Sequence, residues 1–403
     1  MGKTALLAWE FGANLGHVTN LGHLARVLLH NGYRVVLVLK ELDTIRSLLS
    51  QSELERVTLL LTPKASISRA PTKNVMSVME ILINWGFDDR AVLEPVVCLW
   101  REIIEAERPD VVMADYAPTL LLALRALNGH KPSKVLMVGS GFGEIPEGAA
   151  AIDILLSPQR NIEKANELEQ VVLRGINEVC GSLSLKALAV FSDLFSVDHT
   201  FLFTVAEFDF YRRDGTPHSY IGSLGGPEGN PPVHWPDEQG PLVFAYLRPG
   251  ARQFVRVVEA LRRIGCSCVM FAPGLREDDV VRLSTRKLSI VTRPVDLQSV
   301  LRDTDLLIHH GGMGTMFAGV QKGVPCMAVP TQLEQQNLGW RTEELGFGLS
   351  IGWDESVQNI RVKIERQLNE PRFERVADAL MYRYGNLTPE KGLALVMDAV
   401  ESK

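Results

Sequence analysis

Five segments of the stretch Arg293–Gly348 decide the reading of this chain: RPVDLQSVL at 293–301, an apolar run ending in HHGGMGT at 309–315, KGVP at 322–325, PTQLEQQN at 330–337 and ELGFG at 344–348. The apolar strand Leu306–His309 delivers His309 and His310 to a turn of small residues, Gly311-Gly312-Met313-Gly314-Thr315, that opens a helix at Thr315–Lys322. Glycines let backbone N–H groups approach an anion, and a helix N-terminus favours negative charge there. A diphosphate fits such a turn, with His310 as an additional donor. The next strand, Cys326–Val329, ends at Pro330. Its exit loop sets Glu334, Gln335 and Asn337 at the carboxyl edge of a sheet, where they can hydrogen-bond sugar hydroxyls.

Working outward, short apolar runs alternate with amphipathic stretches along the whole chain, the pattern of parallel sheets covered by helices. The first half reads as strand Thr4–Trp9, helix Leu21–His30, strand Arg34–Leu39, strand Asp110–Met113, helix Thr119–Leu127, strand Lys134–Val138 and a last strand Phe201–Thr204. Gly222–Gly240, GSLGGPEGNPPVHWPDEQG, is crowded with glycine and proline and reads as an exposed linker. A second alternation follows: strand Leu242–Tyr246, helix Gln253–Arg263, and strands Cys268–Phe271 and Leu288–Val291, then helix Leu297–Leu301 before the strand at Leu306. The expected domains are 1–221, a linker at 222–240, 241–375, and a C-terminal helix at 376–403 packing back on the first domain. Two open parallel sheets joined by a linker imply a ligand cleft between domains.

With 403 residues, 46% hydrophobic and 22% charged, the chain is long enough for two ordinary globular cores. A net charge of -6 argues against a duplex-wrapping protein, which concentrates Lys and Arg to neutralise phosphates. Five cysteines, with Cys266 and Cys268 too close for the usual zinc spacing, suit a reducing cytoplasm. No run reaches the roughly 18 apolar residues of a membrane span. Asp303-Thr304-Asp305 spells an Asp-x-Asp motif but precedes a strand, at the amino edge of its sheet. No metal is expected.

Several positions spread over Arg293–Gly348 together resemble the nucleotide-sugar signature of family 1 glycosyltransferases, the group holding plant and macrolide-type enzymes, with register kept from His310 through Gly323 and Pro325 to Glu334-Gln335. The opening WEFGANLGHVTNLGHLARVLLHNGYRV resembles the N-terminal signature of the same group, with Gly16-His17 carried in a glycine-rich loop before a helix. The resemblance implies an α/β chain of two Rossmann-like domains with parallel sheets facing across a cleft, the GT-B architecture. It implies transfer of a sugar from UDP or dTDP to a hydroxyl of a small-molecule acceptor, with inversion and without cofactor, the nucleotide sugar being a co-substrate.

On that resemblance Val295 meets the base, while His310, Gly311, Gly312, Gly314 and Thr315 line the diphosphate. Glu334, in place of the family's usual Asp, and Gln335 hold the donor sugar. His17 is the expected general base, because an imidazole takes a hydroxyl proton near neutral pH. Asp115 in RPDVVMADYAP is the carboxylate that orients it. Arg248 follows the first strand of the second domain and is either a phosphate contact or a surface arginine. Glu10, Ser140 and Phe142 are candidate acceptor contacts. Ala318 stands where the family often has a ribose-binding Glu, a departure shared with bacterial users of deoxythymidine donors, which leans the nucleotide toward dTDP. A nucleotide-sugar 2-epimerase and a catalytically silent nucleotide-binding helper are the alternatives on the same architecture.

Overall fold

The computed structural model describes residues 2–12, 15–72, 75–149, 162–211, 213, 215–226, 230–236 and 239–402. Of the segment read as a linker, residues 227–229 and 237–238 lie outside the described residues. The chain divides into two compact units, Met1–Gly225 with Pro389–Lys403, and Gly226–Thr388.

The first unit is built on seven strands: β1 Thr4–Trp9, β2 Arg34–Leu39, β3 Val57–Leu61, β4 Val111–Asp115, β5 Lys134–Gly139, β6 His199–Leu202 and β7 His218–Tyr220. They form one sheet of order β3-β2-β1-β4-β5-β6-β7, parallel throughout. β1, TALLAW, is buried along its whole length, as a strand covered on both faces must be. Helix Leu15–His30 and the C-terminal helix Pro389–Glu401 pack against each other, and Val396 and Val400 of the latter enter the same core as Leu21, Leu24 and Leu28. Helix Pro371–Tyr384 belongs to the second unit and packs on helix Met313–Lys322.

The second unit carries β8 Leu242–Tyr246, β9 Ser267–Phe271, β10 Leu288–Val291, β11 Leu306–His309, β12 Cys326–Ala328 and β13 Gly348–Ser350. Their order is β10-β9-β8-β11-β12-β13, again all parallel. Both units are therefore Rossmann-like, doubly wound sheets. In each the strand order reverses beside the first strand, at β1/β4 and at β8/β11, and ligands of such sheets bind at the carboxyl ends of the strands flanking that reversal. Trp9 pairs with Asp115 there in the first unit, and Tyr246 with His309 in the second.

Two expectations need correction, and two strands are added. The helix expected at Leu21–His30 begins at Leu15, so Gly16 and His17 sit in its first turn, not in the loop before it. The strand at His199–Leu202 is not the last of its sheet, because His218–Tyr220 adds an edge strand of three residues with no apolar run to announce it. β3 and β13, both at sheet edges, were likewise absent from the sequence reading.

Ile308 is fully buried in β11, one residue before the His309-His310 pair. Ile308→Ala is expected to lower unfolding free energy in urea by about 2–5 kcal/mol, the usual range for such a truncation including its cavity. A loss below about 1 kcal/mol would contradict the packing described for this strand.

Candidate functional site

In the first unit the imidazole of His17 and the carboxylate of Asp115 meet, His17 Nδ1 lying 2.8 Å from Asp115 Oδ1. β4 supplies Asp115 as its last residue and the first turn of helix Leu15–His30 supplies His17, 98 residues away in sequence. The side chains are 12% and 1% exposed, so the pair is shielded while the imidazole keeps an edge toward solvent. Asp115, as acceptor, fixes the proton on Nδ1 and leaves Nε2 as the basic nitrogen. The indole of Trp9 stacks on the imidazole at 5.3 Å, 15° from parallel. Gly12 completes the setting. Its φ is +83°, and a Cβ placed there would stand 2.5 Å from His17 Nε2, so only glycine leaves room for the ring.

Glu10 is buried one residue beyond β1, where it accepts the N–H of Thr119 at 2.9 Å and the indole N–H of Trp100 at 3.4 Å. Burial pushes its carboxyl up to about 7, the hydrogen bonds from Thr119 and Trp100 opposing. Lys40 Nζ lies 5.4 Å from the Trp9 ring centroid and 5.3 Å from that of Trp85, and donates to the Gly12 carbonyl. Burial, then the charge of Lys64, holds its ammonium below the ordinary lysine range. Glu10, Phe11, Lys40, Thr62, Trp85 and Val96 help line a pocket within this unit. Of the other acceptor candidates, Ser140 is half-buried, but Phe142 is 3% exposed and its ring packs edge-on between Tyr116 and Phe210. Phe142 is thus a packing residue rather than an open wall.

In the second unit two pieces of the expected donor signature, the turn after β11 and Gln335, come together. Gly311 has φ +84°, and a Cβ there would lie 3.0 Å from Cβ of Gln335 and 3.1 Å from its carbonyl oxygen, so the turn after β11 closes directly on helix Leu333–Leu345. Gln335 is turned by Thr331, whose N–H and hydroxyl both donate to its Oε1 at 2.8 Å. Glu334 stands beside it in the first turn of that helix. Gly312 is the N-cap of helix Met313–Lys322, with Gly314 and Thr315 in its first turn. Val295 is buried in the loop after β10, beside Asp296, which caps helix Leu297–Val300.

His310 is buried and meets Tyr246 edge-on at 4.7 Å. Burial, then the charge of Arg248, pulls its imidazole down to about 4, so it is neutral at pH 7 and offers a hydrogen bond and not a charge. Its Nδ1 has no hydrogen-bond partner among the described residues. Arg248 is exposed and also acts on the Tyr246 hydroxyl. His309 serves the turn itself: its Nδ1 accepts the Gly311 N–H at 3.2 Å, and burial holds the ring neutral, at about 3. Ala318 is buried and offers only a methyl group at the ribose position of the resemblance.

Residues outside the sequence reading support both places. Gln253 and Trp353 donate to the Pro330 carbonyl at 2.9 and 3.0 Å, fixing the loop that leads to Glu334 and Gln335. Gly12, Trp9 and Lys40 frame His17, and only the glycine-rich character of residues 11–16 hinted at this. Asp305 accepts the Leu242 N–H at 2.7 Å at the start of β8, so the Asp-x-Asp spelling ties strand starts together. Among the described residues no cluster of His, Cys, Asp and Glu has the makings of a metal site, and all five cysteines are free.

The raised Glu10 carboxyl has a signed consequence. Below its ordinary value of 4.5 both folded and unfolded chains hold the proton; between 4.5 and about 7 only the folded chain does, so stability falls as pH rises across that window. Glu10→Gln is expected to remove up to about 3 kcal/mol of that loss. Melting temperatures at pH 5 and pH 8 check this: the variant should lose less than the wild type, and parallel losses would contradict the buried, protonated Glu10.

Residues 274–385 match the family model described as the erythromycin biosynthesis protein CIII-like, C-terminal domain. Over 122 residues the chain is 32% identical to the glycosyltransferase GtfE of Amycolatopsis orientalis, covering 30% of this chain and only 27% of that relative's length. The calicheamicin glycosyltransferase CalG4 superposes with a TM-score of 0.70 at 17% identity, over 99% of this chain and 98% of that one. The glycosyltransferase VinC, solved in complex with dTDP, does so with a TM-score of 0.66 at 17% identity, over 99% and 100%. No helix among the described residues is long and apolar enough to cross a membrane. In sequence over its second unit, and in fold along nearly its whole length, the chain resembles the family 1 bacterial glycosyltransferases of the GT-B fold.

Proposed function

We propose that this protein is a glycosyltransferase of the hexosyltransferase type that moves a sugar from a nucleoside diphosphate to a hydroxyl of a small-molecule acceptor, with inversion at the anomeric carbon. The observation that carries the reading is the shielded hydrogen bond between His17 Nδ1 and Asp115 Oδ1 at 2.8 Å. An imidazole oriented by a buried carboxylate is a general base whose conjugate acid is stabilised as it forms. His17 Nε2 takes the proton of the acceptor hydroxyl, the oxygen attacks the anomeric carbon in line, and the bond to the diphosphate breaks with its electron pair leaving on the phosphate oxygen.

The second unit is assigned the donor. Backbone N–H groups at Gly312, Met313 and Gly314 and the positive end of helix Met313–Lys322 face the diphosphate, joined by His310 as a neutral donor and Arg248 as a cation. Thr315 lines the same place, Val295 meets the base, and Glu334 and Gln335 take the sugar hydroxyls. This set offsets the leaving charge with no metal assigned to it. Between nucleotides, the absence of a carboxylate at buried Ala318 and the dTDP bound by VinC favour dTDP over UDP. Glu10, Ser140, and the pocket containing Lys40 and Trp85 are assigned to the acceptor.

Thermal denaturation in the presence of dTDP, UDP, GDP or UMP tests the donor assignment. A ligand at about 100 times its Kd adds about 2.7 kcal/mol of stability. The expected result is a rise in Tm with dTDP, smaller with UDP, that is lost in His310→Ala; no rise with any diphosphate would overturn it.

A further inference from the structure

A further buried carboxyl group interacts electrostatically with the His17–Asp115 pair. Glu144 lies in the loop after β5 and is 2% exposed. Its carboxyl folds back over Gly139: a Cβ on that glycine would stand 2.2 Å from the carboxyl carbon, so the strand end is kept bare to admit it. One oxygen accepts the N–H of Gly141 at 2.8 Å, the other the N–H of Tyr116 at 3.3 Å. Tyr116 directly follows Asp115 and has φ +44°, a left-handed conformation that an aromatic residue adopts only when its surroundings enforce it. Gly143 leaves room for the ring, since a Cβ there would lie 2.3 Å from it. Arg213, paired with Asp209 at 2.6 Å, anchors the Glu144 backbone by donating to its carbonyl at 2.7 Å. The other oxygen of Asp115, Oδ2, has no hydrogen-bond partner among the described residues.

We propose that Glu144 is a positioning residue: through the Tyr116 N–H and the carboxyl it lays beside Asp115, it holds that carboxylate in register with His17. This inference rests on the reading of His17 and Asp115 as the base pair of the reaction. The groups that act on the Glu144 carboxyl are Asp115 from β4, His17 from helix Leu15–His30 and Arg213, with Tyr211 and Tyr116 close by. Burial first, and the Asp115 charge second, push Glu144 up to about 8, while the Gly141 N–H, His17 and Arg213 pull the other way. Glu144 therefore carries its proton at pH 7. As pH rises through about 8, Glu144 gains a negative charge that acts on Asp115 and His17.

The test uses the full-length protein with labelled histidine, following the His17 ring by NMR from pH 5 to 10, and needs neither donor nor acceptor. Wild type should show a second inflection near pH 8 that Glu144→Gln abolishes, because the amide keeps an acceptor for Tyr116 but cannot ionise. A His17 titration identical in the two proteins would overturn the proposal. If the glutamine variant does not fold, Asp115→Asn serves instead: removing the charge that holds the proton on Glu144 should move the inflection to lower pH, and an unmoved inflection is equally fatal.

In transfer assays Glu144→Ala should lower kcat by roughly tenfold to a hundredfold, the scale of an angstrom-size misplacement of a catalytic group, with KM for the donor unchanged and Glu144→Gln restoring most of the rate. Equal losses in the Ala and Gln variants would contradict it. His17→Ala separates the two readings. Undiminished transfer in that variant removes His17 as base but leaves the NMR result to decide whether Glu144 governs the Asp115–His17 contact.

Discussion

A parallel sheet whose strand order reverses beside its first strand cannot cover its own carboxyl edge at that point, because the connections on either side leave in opposite directions. Both units of this chain are built that way, at β1/β4 and at β8/β11. Much of the candidate chemistry gathers at those two reversals: Trp9, Glu10 and Asp115 at one, Tyr246, Arg248, His309 and His310 at the other. The sheet supplies rigidity and register, so residues about a hundred positions apart in sequence meet within a hydrogen bond, as His17 and Asp115 do.

Burial then decides what each titratable group can be. The same desolvation that pushes Glu10 to about 7 and Glu144 to about 8 pulls His310 down to about 4. Near neutral pH Glu144 and His310 hydrogen-bond without charge, and Glu10 titrates close to that range. Glycine sets the steric side of the same bargain with space. Gly12 makes room for His17 Nε2, Gly139 for Glu144, and Gly311 for the approach of Gln335, each where a single Cβ would fall at 3.0 Å or less from its neighbour.

The strands around the reversals were legible because they are apolar runs buried on both faces. β1, β2, β8, β10 and β11 have the bounds expected from sequence. The edge strand β10 was legible as well, but β7 is His-Ser-Tyr, and β13 is a three-residue strand opened by a glycine, and neither carries an apolar run. The start of helix Leu15–His30 was hidden by Gly16, a poor helix former whose position in the first turn is fixed by tertiary contacts of its neighbour His17. Motif residues such as His17, His310 and Gln335 stood out by spacing. Glu144 and Gln253 did not, since a single polar residue in a loop or at a helix start becomes informative only once its burial and partners are known. Phe142, a candidate acceptor contact in the sequence, packs its ring edge-on between Tyr116 and Phe210, a distinction that sequence periodicity does not make outside regular elements.

The central claim is that a nucleoside diphosphate leaves only when an acceptor hydroxyl, deprotonated by His17, attacks. Diphosphate release from dTDP- and UDP-sugars, followed with and without a panel of hydroxylated small molecules, measures this directly. The account predicts release that depends on the acceptor and falls by roughly 10²–10⁴-fold in His17→Ala, the usual contribution of a positioned base. Release at the same rate without any acceptor, or undiminished in His17→Ala, would contradict it.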